Sequence, residues 1–140
     1  IILQKSFNIG TIRILDNQDK DETWDEMRDW VKIYTKDLIN TETRNYPINY
    51  VKYENVNLYE SQVVLNIPEG KKFIEIPENK KLAYKNDSYE ITYELVSDTQ
   101  LVVNRKANLS WEDVSAEEYP EFKKYVEEVI VSEERIVGYK

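Results

Sequence analysis

The chain has 140 residues, of which 41% are hydrophobic and 33% are charged, and a net charge of −8 gives it a pI of about 4.7. This length and composition are typical of one globular domain with its own core. The negative charge argues against binding to the phosphates of nucleic acids or to an anionic membrane surface. No apolar run reaches the length of about 18 residues that a bilayer-spanning helix needs.

The sequence contains neither cysteine nor histidine. A Cys–His or Ser–His catalytic arrangement therefore cannot be built within this chain, and a disulfide framework is excluded. The acidic segment 16–22 offers carboxylates that Ca²⁺ prefers, but its spacing differs from that of an EF-hand loop, and we favour a polar turn. We predict no catalytic residue, no cofactor and no metal site, and therefore no enzymatic activity of this chain.

A first amphipathic helix is predicted over about residues 24–38. Thr23 and Glu26 match a capping box, in which the threonine hydroxyl accepts from the backbone and the glutamate reaches back to it. The apolar residues that follow recur at helical spacing. Trp24 and Trp30 occupy core positions in this pattern, so we expect both to be buried.

Strands are predicted before and after this helix. Residues 1–15 indicate one or two strands interrupted at Gly10, and Pro47 within the extended segment 46–50 favours the edge of a sheet. Alternating or continuous apolar residues indicate further strands at 63–67, 73–76, 89–95, 101–109 and 135–139.

Turn and cap signals separate the later elements. Gly70 predicts a type I turn in which it takes the last position. Ser115 and Glu118 form a second capping box, which begins a second amphipathic helix of about residues 116–131. Because Pro120 lacks an N–H group, we expect an irregular first turn and a regular helix that begins near this residue.

Two residues are candidate contacts for a ligand or a partner. Arg105 shares a strand face with apolar residues, and such an arginine either reaches an edge or pairs with a carboxylate; we favour a structural ion pair. Trp111 follows the same strand by two residues and precedes a polar loop, where it can pack or remain open to a ligand. Tyr89, Ile91 and Tyr93 are predicted to face the core.

The order of these signals resembles that of a known family. The matching residues are Ile67-Pro68-Glu69-Gly70, Ile76-Pro77, Tyr89-Glu90-Ile91-Thr92-Tyr93, Leu101-Val102-Val103-Asn104-Arg105 and Glu118-Tyr119 with Phe122. They resemble the C-terminal domain that follows a transglutaminase-like core in large exported proteins of Bacteroidetes-type bacteria. The resemblance implies an accessory fragment of a longer protein in the periplasm or at the cell surface. The family's catalytic residues belong to the core, so none is carried over.

The combined prediction is an α+β fold, in which an antiparallel β-sandwich-like sheet carries the two helices in one β-rich domain of residues 1–140. We expect this accessory domain to support or position a neighbouring transglutaminase- or protease-like domain, or to contact a protein partner. The alternative is a carbohydrate-binding module, which requires two or three coplanar exposed aromatic rings. No nucleic acid and no membrane insertion is expected.

Overall fold

The computed structural model describes residues 13–16, 34, 36–49 and 57–140. In chain order its elements are strand β1 (Arg13–Asp16), a short 3-10 helix (Lys36–Ile39), strands β2 (Leu58–Asn66), β3 (Phe73–Glu75), β4 (Lys80–Tyr84), β5 (Asp87–Ser97) and β6 (Gln100–Asn108), helix α1 (Tyr119–Glu133) and strand β7 (Ile136–Tyr139).

A four-stranded antiparallel sheet is the centre of the molecule, with the strand order β2-β6-β5-β4. Apolar and polar residues alternate along β6, so that Leu101, Val103 and Ala107 are buried on one face, which we call the inner face. The register places Tyr89 opposite Ala107, and both Tyr89 and Ile91 are 1% exposed. The prediction that these two residues face the core is confirmed, and Tyr93, the third residue of that prediction, is half-buried and packs against the core.

Helix α1 covers the inner face of this sheet. Phe122, Val126 and Val129 are at most 1% exposed, because the apolar residues of the helix recur on one side. The ring of Phe122 meets that of Tyr84 on β4 edge-to-face, with 5.4 Å between centroids. Tyr125 stacks on the same tyrosine at 5.9 Å. These rings make β4 and the N-terminal half of α1 one packed unit.

The predicted start of this helix is confirmed. The Glu118 backbone N–H donates to the Ser115 hydroxyl at 3.2 Å, and the Ser115 N–H donates to the Glu118 carboxylate at 3.1 Å, which completes a capping box. The turn between them is not yet helical, and the regular helix begins at Tyr119, immediately before Pro120. The helix ends at Glu133, two residues beyond the predicted boundary of 131.

A smaller sheet has the order β1-β7-β3, in which β7 runs parallel to β1 and antiparallel to β3. Gly138 in β7 is paired with Glu75 in β3, and a Cβ atom at Gly138 would lie 3.2 Å from the Cβ atom of Glu75. The glycine therefore allows the close approach of these two strands.

The α+β class is confirmed, but the sandwich and the pair of helices need correction. A helix, rather than a second large antiparallel sheet, covers the inner face, and the second sheet is small and mixed. Among the described residues α1 is the one α-helix. Most of the predicted helix at 24–38 lies outside the described residues, as do Trp24 and Trp30. Within it, Lys36–Ile39 forms a 3-10 helix.

Several strand predictions also need adjustment. The strands at 73–76, 89–95, 101–109 and 135–139 are confirmed as β3, β5, β6 and β7, whereas β4 was not predicted. The strand predicted from residue 63 begins at Leu58. The predicted edge segment at 46–50 is reduced, in its described part, to a single bridge from Ile48 to Val114. Of the strands predicted in residues 1–15, only the positions that belong to β1 are described.

The turn after β2 differs from the predicted type. The Lys71 N–H donates to the Pro68 carbonyl at 3.1 Å, which makes Gly70 the third residue of the turn rather than the last. Its φ of +87° is the value that a type II turn requires at this position. Glycine is needed here because other residues adopt such an angle at a cost.

Candidate functional site

Arg105 lies at the centre of the inner face, where the register places it between Ser61 on β2 and Ile91 on β5. Its Nη1 atom donates to the Glu133 Oε1 atom at 3.4 Å. The side chains of Arg105 and Glu133 are 2% and 4% exposed. The arginine therefore forms a buried ion pair with the last residue of α1, which joins the helix end to the middle of the sheet.

The electrostatics of this pair suit a structural role. Burial lowers the pKa of Arg105 to about 10, although the Glu133 carboxylate opposes that effect. The guanidinium group therefore keeps its proton at neutral pH and cannot serve as a base. Burial also raises the pKa of the neighbouring Tyr89 hydroxyl well above its usual range, so that this phenol stays neutral. We find no acid–base function for this group of residues.

Trp111 lies in the segment after β6, with its backbone in the left-handed region at a φ of 57°. The preceding residue, Ser110, donates from its N–H and its hydroxyl to the Asp87 Oδ1 atom, at 2.7 and 2.6 Å. The Tyr34 hydroxyl donates to the Asp87 Oδ2 atom at 3.2 Å. Trp111 is half-buried against the core. The structure therefore places Arg105 in the buried pair with Glu133, and Trp111 beside the hydrogen bonds that join Ser110 and Tyr34 to Asp87.

Aromatic side chains do not form an open platform in the part of the chain that the structure describes. Tyr46, which is 79% exposed, is the one aromatic residue there with an exposed side chain. The other described aromatic rings are buried or half-buried. Trp24 and Trp30 lie outside this part of the chain.

A groove that the sequence did not predict runs between β4 and the C-terminal half of α1. Two adjoining depressions form it, with volumes of about 250 and 120 Å³, and Lys80, Ser132 and Arg135 line both. Lys124 and Val131 of the helix line the larger one. The groove is open to solvent along the helix, so it suits an elongated ligand better than an enclosed small molecule.

The groove is lined by three cationic and three acidic side chains. Lys85 and Lys106 elsewhere on the sheet each contact a carboxylate. By contrast, Lys80, Lys124 and Arg135 are outside the ion pairs found among the described residues. The acidic residues of the lining are Glu78, Glu127 and Glu128. Of these, Glu127 lies 3.9 Å from Lys123, a residue outside the groove lining.

The described residues contain no group of three or more acidic side chains arranged to hold a metal ion. The acidic segment 16–22 lies outside the described residues except for Asp16, which is the last residue of β1. Within the described ranges, no helix has the length and apolar character needed to cross a membrane.

Comparison with known families gives one match. Residues 28–137 match DUF3858, which is described as a "Domain of Unknown Function with solved-structure structure". No curated protein and no solved structure matches the chain. Because the family match covers most of the sequence, the chain belongs to the DUF3858 family.

Proposed function

We propose that this member of the DUF3858 family is a non-catalytic domain that binds a neighbouring protein domain and holds it in position. The observation that carries the proposal is the open groove between α1 and β4, where Lys80, Lys124 and Arg135 are not held by ion pairs among the described residues. Charged side chains that remain available in this way steer and orient a protein surface of complementary charge.

The packing of the domain supports this role. The Arg105–Glu133 pair and the stacked rings of Tyr84 and Tyr125 fix α1 against the sheet at both of its halves. A surface whose walls are held in this way loses little conformational entropy when a partner binds. The lack of cysteine and histidine in the sequence further favours binding over catalysis.

The nature of the neighbour comes from the resemblance to the domain that follows a transglutaminase-like core. On that basis, the partner is a transglutaminase- or protease-like domain of the same parent chain, and the site of action is the periplasm or the cell surface. The chain would then orient the core or its substrate rather than contribute reacting groups.

The test is calorimetric titration of this chain with a separately produced transglutaminase-like domain from the same parent protein. We expect saturable binding between the two, and no hydrolase or transferase activity of this chain alone. A lack of binding, or activity that survives repeated purification of this chain, would contradict the proposal.

The carbohydrate-binding alternative stays a prediction. It requires coplanar exposed aromatic rings, and the described residues offer only Tyr46 as an exposed aromatic side chain. A glycan array screened with the Trp111→Ala variant beside the unchanged chain tests it. Binding that the substitution abolishes would favour the alternative over the protein-docking role.

A further inference from the structure

We propose that strand β2 is a self-association edge, where a second copy of this chain adds its own β2 in the antiparallel direction. The two four-stranded sheets then become one continuous sheet. The inference goes beyond the docking role, because β2 and β4 form opposite edges of the sheet and the groove includes Lys80 of β4. Strand addition at an exposed sheet edge is a common mode of association, in which the two main chains supply the hydrogen bonds.

The backbone of β2 has one side that no other strand of the described chain pairs with. Its nine residues pair with β6 alone. At one end of this ladder the Leu109 N–H donates to the Asn57 carbonyl at 2.7 Å, and at the other end the Ile67 N–H donates to the Thr99 carbonyl at 2.9 Å. Because bonded and non-bonded pairs alternate in an antiparallel ladder, the odd-numbered residues of β2 bond to β6. The N–H and C=O groups of its even-numbered residues therefore point away from β6.

The two edges of the sheet differ in how they are protected. β4 begins with Lys80 and Lys81, and lysines on an edge strand oppose the addition of another strand. β2 has no lysine, proline or glycine, and its register with β6 runs without a bulge. Its one charged residue, Glu60, pairs with Lys106 at 3.0 Å. β2 thus lacks the features that keep an edge strand from associating.

The sequence of β2 fits a copy of itself in one register. On the outer face of the sheet, Leu58 and Val64 are 48% and 45% exposed. A two-fold axis at Ser61 places Leu58 opposite Val64 of the second copy, and Glu60 opposite Gln62 of the second copy. Apolar side chains then meet each other, and the Gln62 amide can donate to the carboxylate. An axis at Glu60 would instead oppose two carboxylates, and an axis at Gln62 would oppose Glu60 and Val64.

Ser61 supplies an independent reason for an axis at this position. Its hydroxyl oxygen is buried and has no hydrogen-bond partner among the described residues. At the axis, Ser61 of each copy would form a non-hydrogen-bonded pair, in which the Cα atoms are about 4.5 Å apart. The two hydroxyls can then bond to each other, which removes the cost of a buried unpaired group. A second copy brings this partner by symmetry, whereas an unrelated strand would need a polar residue at the same position.

The first test uses a single introduced thiol, because the chain has no cysteine of its own. In Ser61→Cys the two thiols would meet across the axis, at a Cα separation that a disulfide allows. The control is Ser88→Cys, which places a thiol at an exposed position of the interior strand β5. In a glutathione redox buffer, we expect about tenfold or more disulfide-linked dimer from Ser61→Cys than from Ser88→Cys, since association raises the effective thiol concentration.

The second test is sedimentation velocity of the unchanged chain at rising protein concentration. We expect a monomer–dimer equilibrium that salt strengthens, because each copy carries a net charge of −8. Leu58→Lys with Val64→Lys sets lysines opposite each other and should weaken dimerisation about tenfold or more. The control is Leu95→Lys with Val96→Lys, which adds the same charge at two exposed apolar residues outside β2. We expect the control to dimerise at least as well as the unchanged chain, and both variants to keep the NMR spectrum of a folded protein.

Several results would overturn the inference. One is a chain that stays monomeric in salt at about 1 mM, where even a millimolar Kd gives a measurable dimer. Another is equal cross-linking of Ser61→Cys and Ser88→Cys, which would place any dimer contact elsewhere. A third is protection of the Gln62 and Val64 amides from hydrogen exchange in the monomer, because this edge would then already be paired within one chain.

Discussion

The two ends of α1 are both tied to the sheet by an ion pair, yet the two pairs lie in opposite environments. At the N-terminal end Glu118 contacts Lys85, and the side chains are 38% and 40% exposed. At the C-terminal end Glu133 contacts Arg105, and the side chains are 4% and 2% exposed. The ion pair at the N-terminal end of the helix is therefore solvated, whereas the ion pair at the C-terminal end is shielded from water.

This difference determines what each pair contributes. An exposed pair gains little, because water solvates the separated charges almost as well as the partner does. A buried pair brings no large net gain over apolar residues either, but removal of one partner leaves a charge without compensation in the core. The C-terminal end of the helix, which carries Ser132 of the groove and lies two residues before Arg135, should thus be the more sensitive to substitution.

The largest effect is expected from Glu133→Ala, which leaves the guanidinium group of Arg105 buried without its anion. We expect a loss of about 3–5 kcal/mol in the free energy of unfolding. Urea denaturation followed by circular dichroism measures it. Glu134→Ala is the matched control, since this neighbouring glutamate is exposed and pairs with the exposed Lys36. Equal losses in the two variants would contradict the prediction.

Replacement of both partners should recover most of that loss. In Arg105→Met with Glu133→Leu no charge remains in the core, so we expect a free energy of unfolding within about 1 kcal/mol of the original, or above it. The two single variants complete a double-mutant cycle that isolates the coupling between the side chains. A double variant as unstable as Glu133→Ala would show that the pair is needed for packing rather than for charge compensation.

Alkaline pH should destabilise the domain through its buried tyrosines. Burial raises the pKa of Tyr93 to about 12 from a usual value of 10.0, and it raises the pKa values of Tyr89 and Tyr125 as well. The pKa values of these tyrosines are higher in the folded chain than in the unfolded chain, so their protonated phenols stabilise the folded state. This contribution to the free energy of unfolding is complete below about pH 10 and is lost as the pH rises through the folded-state pKa values. The lowered pKa of Arg105 acts in the opposite direction, but for one group only.

The measurement for this prediction is the urea midpoint at a series of pH values between about 8 and 11.5. We expect the midpoint to fall above about pH 10, and to fall less steeply in the Tyr93→Phe variant, which has no phenol to ionise at that position. A midpoint that stays constant over this range would show that the tyrosines ionise as readily in the folded chain as in the unfolded one.

A smaller effect is expected from Ser115→Ala at the N-terminal end of α1. The substitution removes the hydroxyl that accepts the Glu118 N–H, and loss of such a cap costs about 1 kcal/mol. Ser115→Asn is the control, because its side chain keeps an acceptor at the same position. If alanine and asparagine destabilise the domain equally, the capping box does not stabilise this helix.

Local patterns in the sequence predicted the elements that depend on neighbouring residues. The alternation from Tyr89 onward gave the β5–β6 hairpin, because one face of each strand is buried and the period of two fixes its register. The Ser115–Glu118 spacing and Pro120 gave the start of α1, because capping requires only residues within one turn. The apolar surroundings of Arg105 in its strand likewise indicated an ion pair.

Features that depend on contacts distant in the sequence were missed. β4 begins with Lys80 and Lys81, which hide the alternation that would indicate a strand, and its pairing with β5 makes it an edge. Glu133 stands next to another glutamate, so nothing local marks it as the partner of Arg105 28 residues away. The groove was missed for the same reason, because it exists only where β4 and α1 meet.

The most direct test of the contrast between the two helix ends is a comparison of Glu133→Gln and Glu118→Gln. Both substitutions remove one carboxylate charge and keep the shape of the side chain, so their urea midpoints report the environments of the two pairs. We expect Glu133→Gln to lower the midpoint strongly at low and high salt, and Glu118→Gln to change it little, with even that change lost at high salt. Equal changes, or a larger change for Glu118→Gln, would contradict the view that the buried pair holds α1 against the sheet.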